Sequence, residues 1–265
     1  MTGIRHPWPD LFDGEWVVTG NVAKARTIEE LHHIIDAHPD VDVLDVGVVG
    51  LRPLEFWEPL LLTHASLQVT GVDVAGIERA QVVADQRGWG DRISLLEGNG
   101  YFLADLFPPA SFDVLVATQV LEHVHSLPLF MRQVWAILRS GGRAFFTVDS
   151  AHFLSRFDPH HPLRLAKNLV KKGLALVGHE RHYDLPWLDR EVASAAEGAG
   201  LEVEVCNYYN LAPLKLIHNH LVPTGDKNAV LHSWLKLEEA LNEVKSVHAG
   251  GRQLFSGLYL EILKP

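Results

Sequence analysis

The sequence predicts an α/β fold in which short parallel strands alternate with helices wound on both faces of one sheet. Three observations predict it. Short apolar runs alternate with stretches of helical spacing through much of the chain, the pattern that repeated βαβ units produce. Two of those runs close on acid or glycine, Val43-Leu44-Asp45-Val46-Gly47-Val48-Val49-Gly50 and Leu67 to Asp73, and a third follows from Phe112 to Val124. At 265 residues, 47% hydrophobic and 21% charged, the chain is also long and apolar enough for one sizeable core.

The elements follow in order. Trp8, Pro9, Phe12, Gly14 and Trp16 stand among turn formers, so residues 1–25 are expected to cap the fold. Ala25–His38 carries Ile28, Leu31, Ile34 and Ile35 on one helical face, and Thr27 with Glu30 fits a capping box. Val41–Val46 is the first strand. Pro53 suits the first turn of a helix running to Leu62, where a missing N–H costs little. A second strand ends at Asp73, and a helix over Ile77–Arg87 stops at Gly88. Ile93–Leu96 and Val114–Ala117 are strands three and four. Leu127–Leu138 is a helix closed by Ser140-Gly141-Gly142, and Arg143–Val148 is strand five. Beyond it, Ala151–Leu185 is an insertion with a basic amphipathic stretch at Leu163–Val177. Pro186–Ala199 reads as a helix, Leu201–Asn207 as strand six, and Leu211–His248 as a second insertion, helical over Trp234–Val247. Leu254–Leu263 is the last strand.

Composition narrows the function. The formal net charge of −10 and a pI near 5.9 argue against non-specific binding to nucleic acid, which depends on neutralising phosphates. A single cysteine, Cys206, rules out an internal disulfide and a Cys-rich metal site, and its apolar run suggests a core residue. No signal peptide is evident, and no run approaches ~18 apolar residues, so a cytoplasmic protein without membrane insertion is expected.

Buried strands with glycine and acid at their carboxyl ends are how a doubly wound sheet binds a nucleoside-containing cofactor. The three segments above, with Leu121-Glu122-His123 at the third, resemble the class I S-adenosylmethionine-dependent methyltransferases, in their small-molecule branch. The resemblance covers residues 40–150 well and the rest loosely. It implies a Rossmann-like, doubly wound, seven-stranded, mainly parallel sheet with an antiparallel last strand. It also implies one domain over residues 1–265: an N-terminal cap and helix (1–40), a cofactor-binding core (41–150), and helical lid insertions (151–185 and 208–250). The cofactor is S-adenosylmethionine, and the reaction is methyl transfer to an O or N atom of a small-molecule acceptor. The large insertions permit a homodimer without requiring one.

Residue by residue, the resemblance places Asp45 toward the amino-acid tail, with Gly47 and Gly50 giving the backbone close approach. Asp73, an acceptor-only carboxylate, suits the ribose diol. Asn99 stands where the family usually has aspartate and faces the adenine amino group. Thr118 and Gln119 line the methionine portion. The turn departs from the family pattern at Val49 and Leu51, which stand where glycine is usual. A nicotinamide site would want Gly-x-Gly-x-x-Gly after strand one, and this chain lacks it.

Methyl transfer from a sulfonium is an in-line displacement in which alignment does much of the work; a base is needed only if the acceptor must lose a proton. His123 and His182 are the candidate catalytic residues, with His152, His179 and Tyr183 bordering the acceptor. No metal site is expected, because His152, His160 and His161 lack ligand spacing. Each reading has a plainer one beside it. Gly47 and Gly50 suit any βα turn, Asp73 suits a helix N-cap, and His123 suits a brace for the following helix. A methyltransferase-like binding protein without activity, or an enzyme that keeps the cofactor for another reaction, are the alternatives at the level of function.

Overall fold

The computed structural model describes residues 21–50, 52–152, 170 and 187–265. Seven strands make one sheet: β1 (Val43–Val46), β2 (Val69–Asp73), β3 (Ile93–Glu97), β4 (Phe112–Thr118), β5 (Leu138–Asp149), β6 (Glu202–Leu211) and β7 (Phe255–Leu263). Their order is β3-β2-β1-β4-β5-β7-β6. The first five run parallel, while β7 is inserted antiparallel between β5 and β6. The order reverses between β1 and β4, so the connections leaving their carboxyl ends diverge. A crevice opens at such a switch point.

Side chains alternate across the sheet with period two. Val43, Val114, Val116, Phe145 and Tyr259 pack on one face, and Leu44, Val46, Leu115, Ala117 and Phe146 on the other. Helix α1 (Val22–Ala37) covers the first face with Ile28, Leu31 and Ile35. Helix α2 (Glu58–Thr63) packs on that face too, and α3 (Ile77–Arg87) adds Ala80 and Ala84. The second face is covered by α4 (Leu103–Leu106), α5 (Leu127–Ile137) and α6 (Asp189–Gly198), through Leu103, Phe130, Val134 and Val192. The chain then adds α7 (Ala212–His220), α8 (Lys227–Asn242) and α9 (Lys245–Ala249) before β7.

Several boundaries differ from the sequence expectation. Helix α1 begins at Val22, capped by the Asn21 side chain, which accepts from Lys24 N at 3.2 Å. Thr27 is therefore inside the helix, and its hydroxyl donates to Ala23 O rather than forming a capping box. The helix expected from Pro53 starts only at Glu58, because Leu54 takes φ 62° and residues 52–57 turn instead. Strand β1 begins at Val43, two residues late. Strand β5 starts at Leu138, with Gly141 at φ 79° in an irregularity, so the expected glycine stop lies inside the strand. Strand β6 continues to Leu211, which moves residues 208–211 from the second insertion into the sheet. Cys206 is half-buried, and burial pushes its thiol up to about 12. Residues 1–20 and most of 151–185, with His160, His161, His179, His182 and Tyr183, lie outside the described residues.

Candidate active site

The turn after β1 is built on backbone that only glycine holds easily. Gly47 has φ +87°, and its N–H donates to Val72 O at 2.8 Å. A Cβ there would stand 2.5 Å from Val120 Cγ2. Gly50 has φ +46°, with open space where a Cβ would stand. Val48 and Val49 are each 5% exposed and join the core on the α1 face. The β-branched Val49 side chain is thus packed inward, and its N–H donates to Asp73 Oδ2 at 3.0 Å.

Strand periodicity puts Asp45 on the same face as Val43, beneath α1. There it is 5% exposed and accepts a hydrogen bond of 2.6 Å from Trp57 Nε1. Burial pushes the Asp45 carboxyl up to about 7, against the Trp57 hydrogen bond and the Lys24 charge that both pull it down. Lys24, from the first turn of α1, lies in the field of Glu55, Asp45 and Glu122. Burial lowers its ammonium, while those carboxylates favour the charged form. Glu122 is 4% exposed and bridges two strand ends: Oε1 accepts from Gln119 Nε2 at 3.0 Å and from Asp149 N at 2.7 Å. Gln119 itself sits at φ 58°, a strained conformation for a residue with a side chain. Its N–H donates to Thr147 O at 2.8 Å, holding the end of β4 to β5.

Asp73 ends β2 with each oxygen already accepting one backbone N–H, from Val74 at 2.8 Å and from Val49 at 3.0 Å. A carboxylate has about four lone-pair sites, so it retains capacity for further donors. Asn99 Oδ1 accepts from Tyr101 N at 3.0 Å, capping a short turn at Gly100–Phe102. Exposed Val74 and Phe102 follow these two polar residues closely in sequence. Thr118 ends β4, half-buried and in register with Thr147 of β5.

Of the histidines, His123 is exposed at the end of the Leu121–His123 turn. His152 stands just past β5, where its Nε2 lies 3.0 Å from Asp189 Oδ1. Asp189 also accepts from the Tyr208 hydroxyl and, at 3.0 Å, from Arg252 Nη1. The His152 hydrogen bond, with that from Tyr208, holds the Asp189 carboxyl well below the usual range. The structure thus brings together Asp45, Gly47, Asp73, Thr118 and Gln119 at neighbouring strand ends, and it sets His152 in a polar cluster of its own. Lys24, Trp57 and Asp189 were missed by sequence reasoning. A lone lysine in a helix and a tryptophan in a turn carry no motif, and the His152–Asp189 pair is separated by 37 residues.

A family profile described as a methyltransferase domain matches residues 40–210. A sterol 24-C-methyltransferase of Gibberella zeae is 29% identical over 120 residues, which is 45% of this chain. The match takes in 30% of that protein, so the chain spans under a third of this curated relative. A sarcosine dimethylglycine methyltransferase structure from Galdieria sulphuraria aligns with TM-score 0.57 at 13% identity, covering 91% of this chain and 86% of that one. A geranyl diphosphate C-methyltransferase from Streptomyces coelicolor A3(2) was solved with Mg2+, geranyl diphosphate and S-adenosyl-L-homocysteine. It aligns with TM-score 0.52 at 14% identity, covering 91% of this chain and 80% of that one. These structural likenesses establish the fold.

Proposed function

The chain belongs to the methyltransferase-domain family, whose methyl donor is S-adenosylmethionine, and from that premise we propose that it methylates an O or N atom of a small-molecule acceptor. The observation that carries the reading is the convergence of the Gly47–Gly50 turn with buried Asp45 and Glu122 and half-buried Lys24 at the switch point of the sheet. The residues fit the donor. Asp45 and Glu122 suit its ammonium, and Lys24 its carboxylate. The open space at Gly50 admits the tail beside the turn. Asp73 takes the ribose diol, with Asn99, Val74 and Phe102 around the adenine. Thr118 and Gln119 face the methionine portion.

When bound, S-adenosylmethionine supplies a methyl group activated by its sulfonium. The chain's own residues then orient the acceptor, exclude water and take its proton. His152 is the best-supported base, because Asp189 fixes its ring through Nε2. That geometry offers Nδ1 to the acceptor. His123 and His182 remain candidates for the same task. Exposed Leu216, Ile217 and Leu221, on and just after α7, support an acceptor with an apolar body against the insertion at 212–250. No helix among the described residues is long and apolar enough to cross a membrane.

The test is S-adenosylhomocysteine production across a panel of hydroxyl, amine and carbon acceptors, with the parent, His152→Asn, His123→Asn and His182→Asn. Loss of a general base typically costs a factor of about 10²–10⁴ in kcat. We expect that loss, with an altered pH profile, for His152→Asn on an O or N acceptor. Turnover only on carbon acceptors would refute the acceptor assignment. An unchanged His152→Asn would pass the role of base to His123 or His182.

A further inference from the structure

A second cluster of polar side chains lies away from the cofactor crevice, near the amino ends of β1 and β2. His32 and Asp36 stand one turn apart on α1, and His64 is the C-cap of α2. Asp36 reaches both rings: Oδ2 is 3.3 Å from His32 Nε2, and Oδ1 is 3.7 Å from His64 Nδ1. The rings also meet directly, with His32 Nδ1 2.7 Å from His64 Nε2. One donor atom from each residue lies within 4.8 Å of one from each of the others.

Two of the three contacts are short enough to hold a hydrogen, and two neutral imidazoles carry one ring proton each, so ring protons can fill both. The third contact, between His64 and Asp36 at 3.7 Å, is too long for a direct hydrogen bond and holds none. A neutral imidazole keeps one ring nitrogen with a free lone pair, which is the form that ligates metals.

We propose that His32, Asp36 and His64 form a binding site for a borderline divalent cation of the zinc class. Two imidazoles and a carboxylate are a zinc-type donor set, whereas magnesium and calcium want oxygen ligands. Ligands about 2.0–2.2 Å from a tetrahedral ion stand roughly 3.3–3.6 Å apart; the two Asp36 oxygens stand 3.3 and 3.7 Å from the rings, and the ring nitrogens that meet at 2.7 Å must part slightly to admit the ion. The rings are sheltered, with side chains 13% and 10% exposed, while Asp36 is 59% exposed. An ion therefore enters from solvent on the carboxylate side, where water fills the fourth position. The backbone at His64 is fixed beforehand. Its N–H donates to Leu60 O at 2.9 Å, and its carbonyl accepts from the Arg92 guanidinium, which also bonds Leu61 O and Leu67 O. The bound ion fastens the C-terminal half of α1 to the end of α2. The other end of α1 supplies Lys24, so the ion stiffens an element of the cofactor crevice without touching it.

The test is zinc titration by calorimetry and thermal unfolding on chelator-treated protein, with Mg2+ in parallel. His33→Gln, altering an exposed neighbour on the same helix, is the control. We expect the parent and His33→Gln to bind one more zinc ion than the double variant His32→Gln/His64→Gln, and zinc to raise Tm in the first two only. Asp36→Asn leaves the half-buried rings in place and is expected to weaken that site at least tenfold. Equal zinc stoichiometry and affinity in parent and double variant would overturn the proposal. So would an Asp36→Asn protein that binds zinc as the parent does, a result still available if the double variant fails to fold. A comparable response to Mg2+ would overturn the zinc-class assignment.

Discussion

Asp45 holds the sharpest residue-scale consequence. Its carboxyl is raised to about 7 by burial, so near neutrality the folded protein is a mixture of protonated and ionised forms. An ammonium bound beside it favours the ionised form, so binding expels the proton. Affinity for S-adenosylmethionine is therefore expected to rise about tenfold between roughly pH 5.8 and 7, and to be flat over that range in Asp45→Asn. Calorimetry at a series of pH values checks this, and a flat parent would place the ammonium elsewhere. The two glycines make a contrasting pair. Gly47→Ala meets both the left-handed backbone and the Val120 methyl, and is expected to cost about 2–4 kcal/mol in denaturant unfolding. Gly50→Ala meets only the backbone penalty and is expected to cost about 1–2 kcal/mol.

At the scale of elements, the end of β6 acts as a socket for two helices. Glu238 of α8 accepts from Asn210 N at 2.8 Å and Leu211 N at 2.6 Å, and also from the Trp234 indole. Asn242, one turn on, accepts from Tyr208 N and donates to Tyr208 O, both at 2.9 Å. Asn210, held at φ 63°, accepts from Val22 N at 2.9 Å and so fixes the first turn of α1, which carries Lys24. Glu238→Ala strands three donors in a site with no exposure and is expected to cost about 3 kcal/mol or more in urea unfolding. Glu238→Gln keeps one carbonyl oxygen and is expected to fall between that variant and the parent. Because α1 depends on the same socket, Glu238→Ala is also expected to weaken cofactor binding, although Glu238 has no place in the crevice. Equal affinity in that variant would mean that α1 docks without help from α8.

For the whole molecule, the parts of the crevice come from segments far apart in the chain: α1, the β1 turn, and the ends of β2 and β4. Cofactor binding must then stabilise the global fold. At a hundred times the dissociation constant the gain is about 2.7 kcal/mol. For a chain of this size that corresponds to a Tm rise of roughly 5–10 °C. Asp73→Ala is expected to lose the rise and to lower the starting Tm as well, because Asp73 also clasps Val49 N. A full rise in Asp73→Ala would remove it from the ribose site.

The strand cores and the Ile77–Arg87 helix were legible in the sequence because local patterning determines them: apolar runs, period-two alternation, and a glycine free to stop a helix at Gly88, φ +70°. The motifs closing β1, β2 and β4 were legible for the same reason, since each is a contiguous stretch at a strand end. Boundaries failed where a distant partner decided them. Strand β6 runs to Leu211 because Glu238 and Asn242 receive the backbone of its last residues, and α1 starts at Val22 because Asn21 and Asn210 meet its first turn. Functional side chains failed likewise when their meaning was a pairing. Lys24 is one polar residue in a helix until Asp45 and Glu122 come near it, and His32 and Asp36 are a surface pair until His64 arrives from α2. The sheet-forming segments and the glycine-and-acid turns could be read from the linear chain, because they depend on neighbours along it. The charge environment of Asp45, the His152–Asp189 pair and the His32–Asp36–His64 cluster arise only on folding, because burial and proximity are not properties of a linear segment.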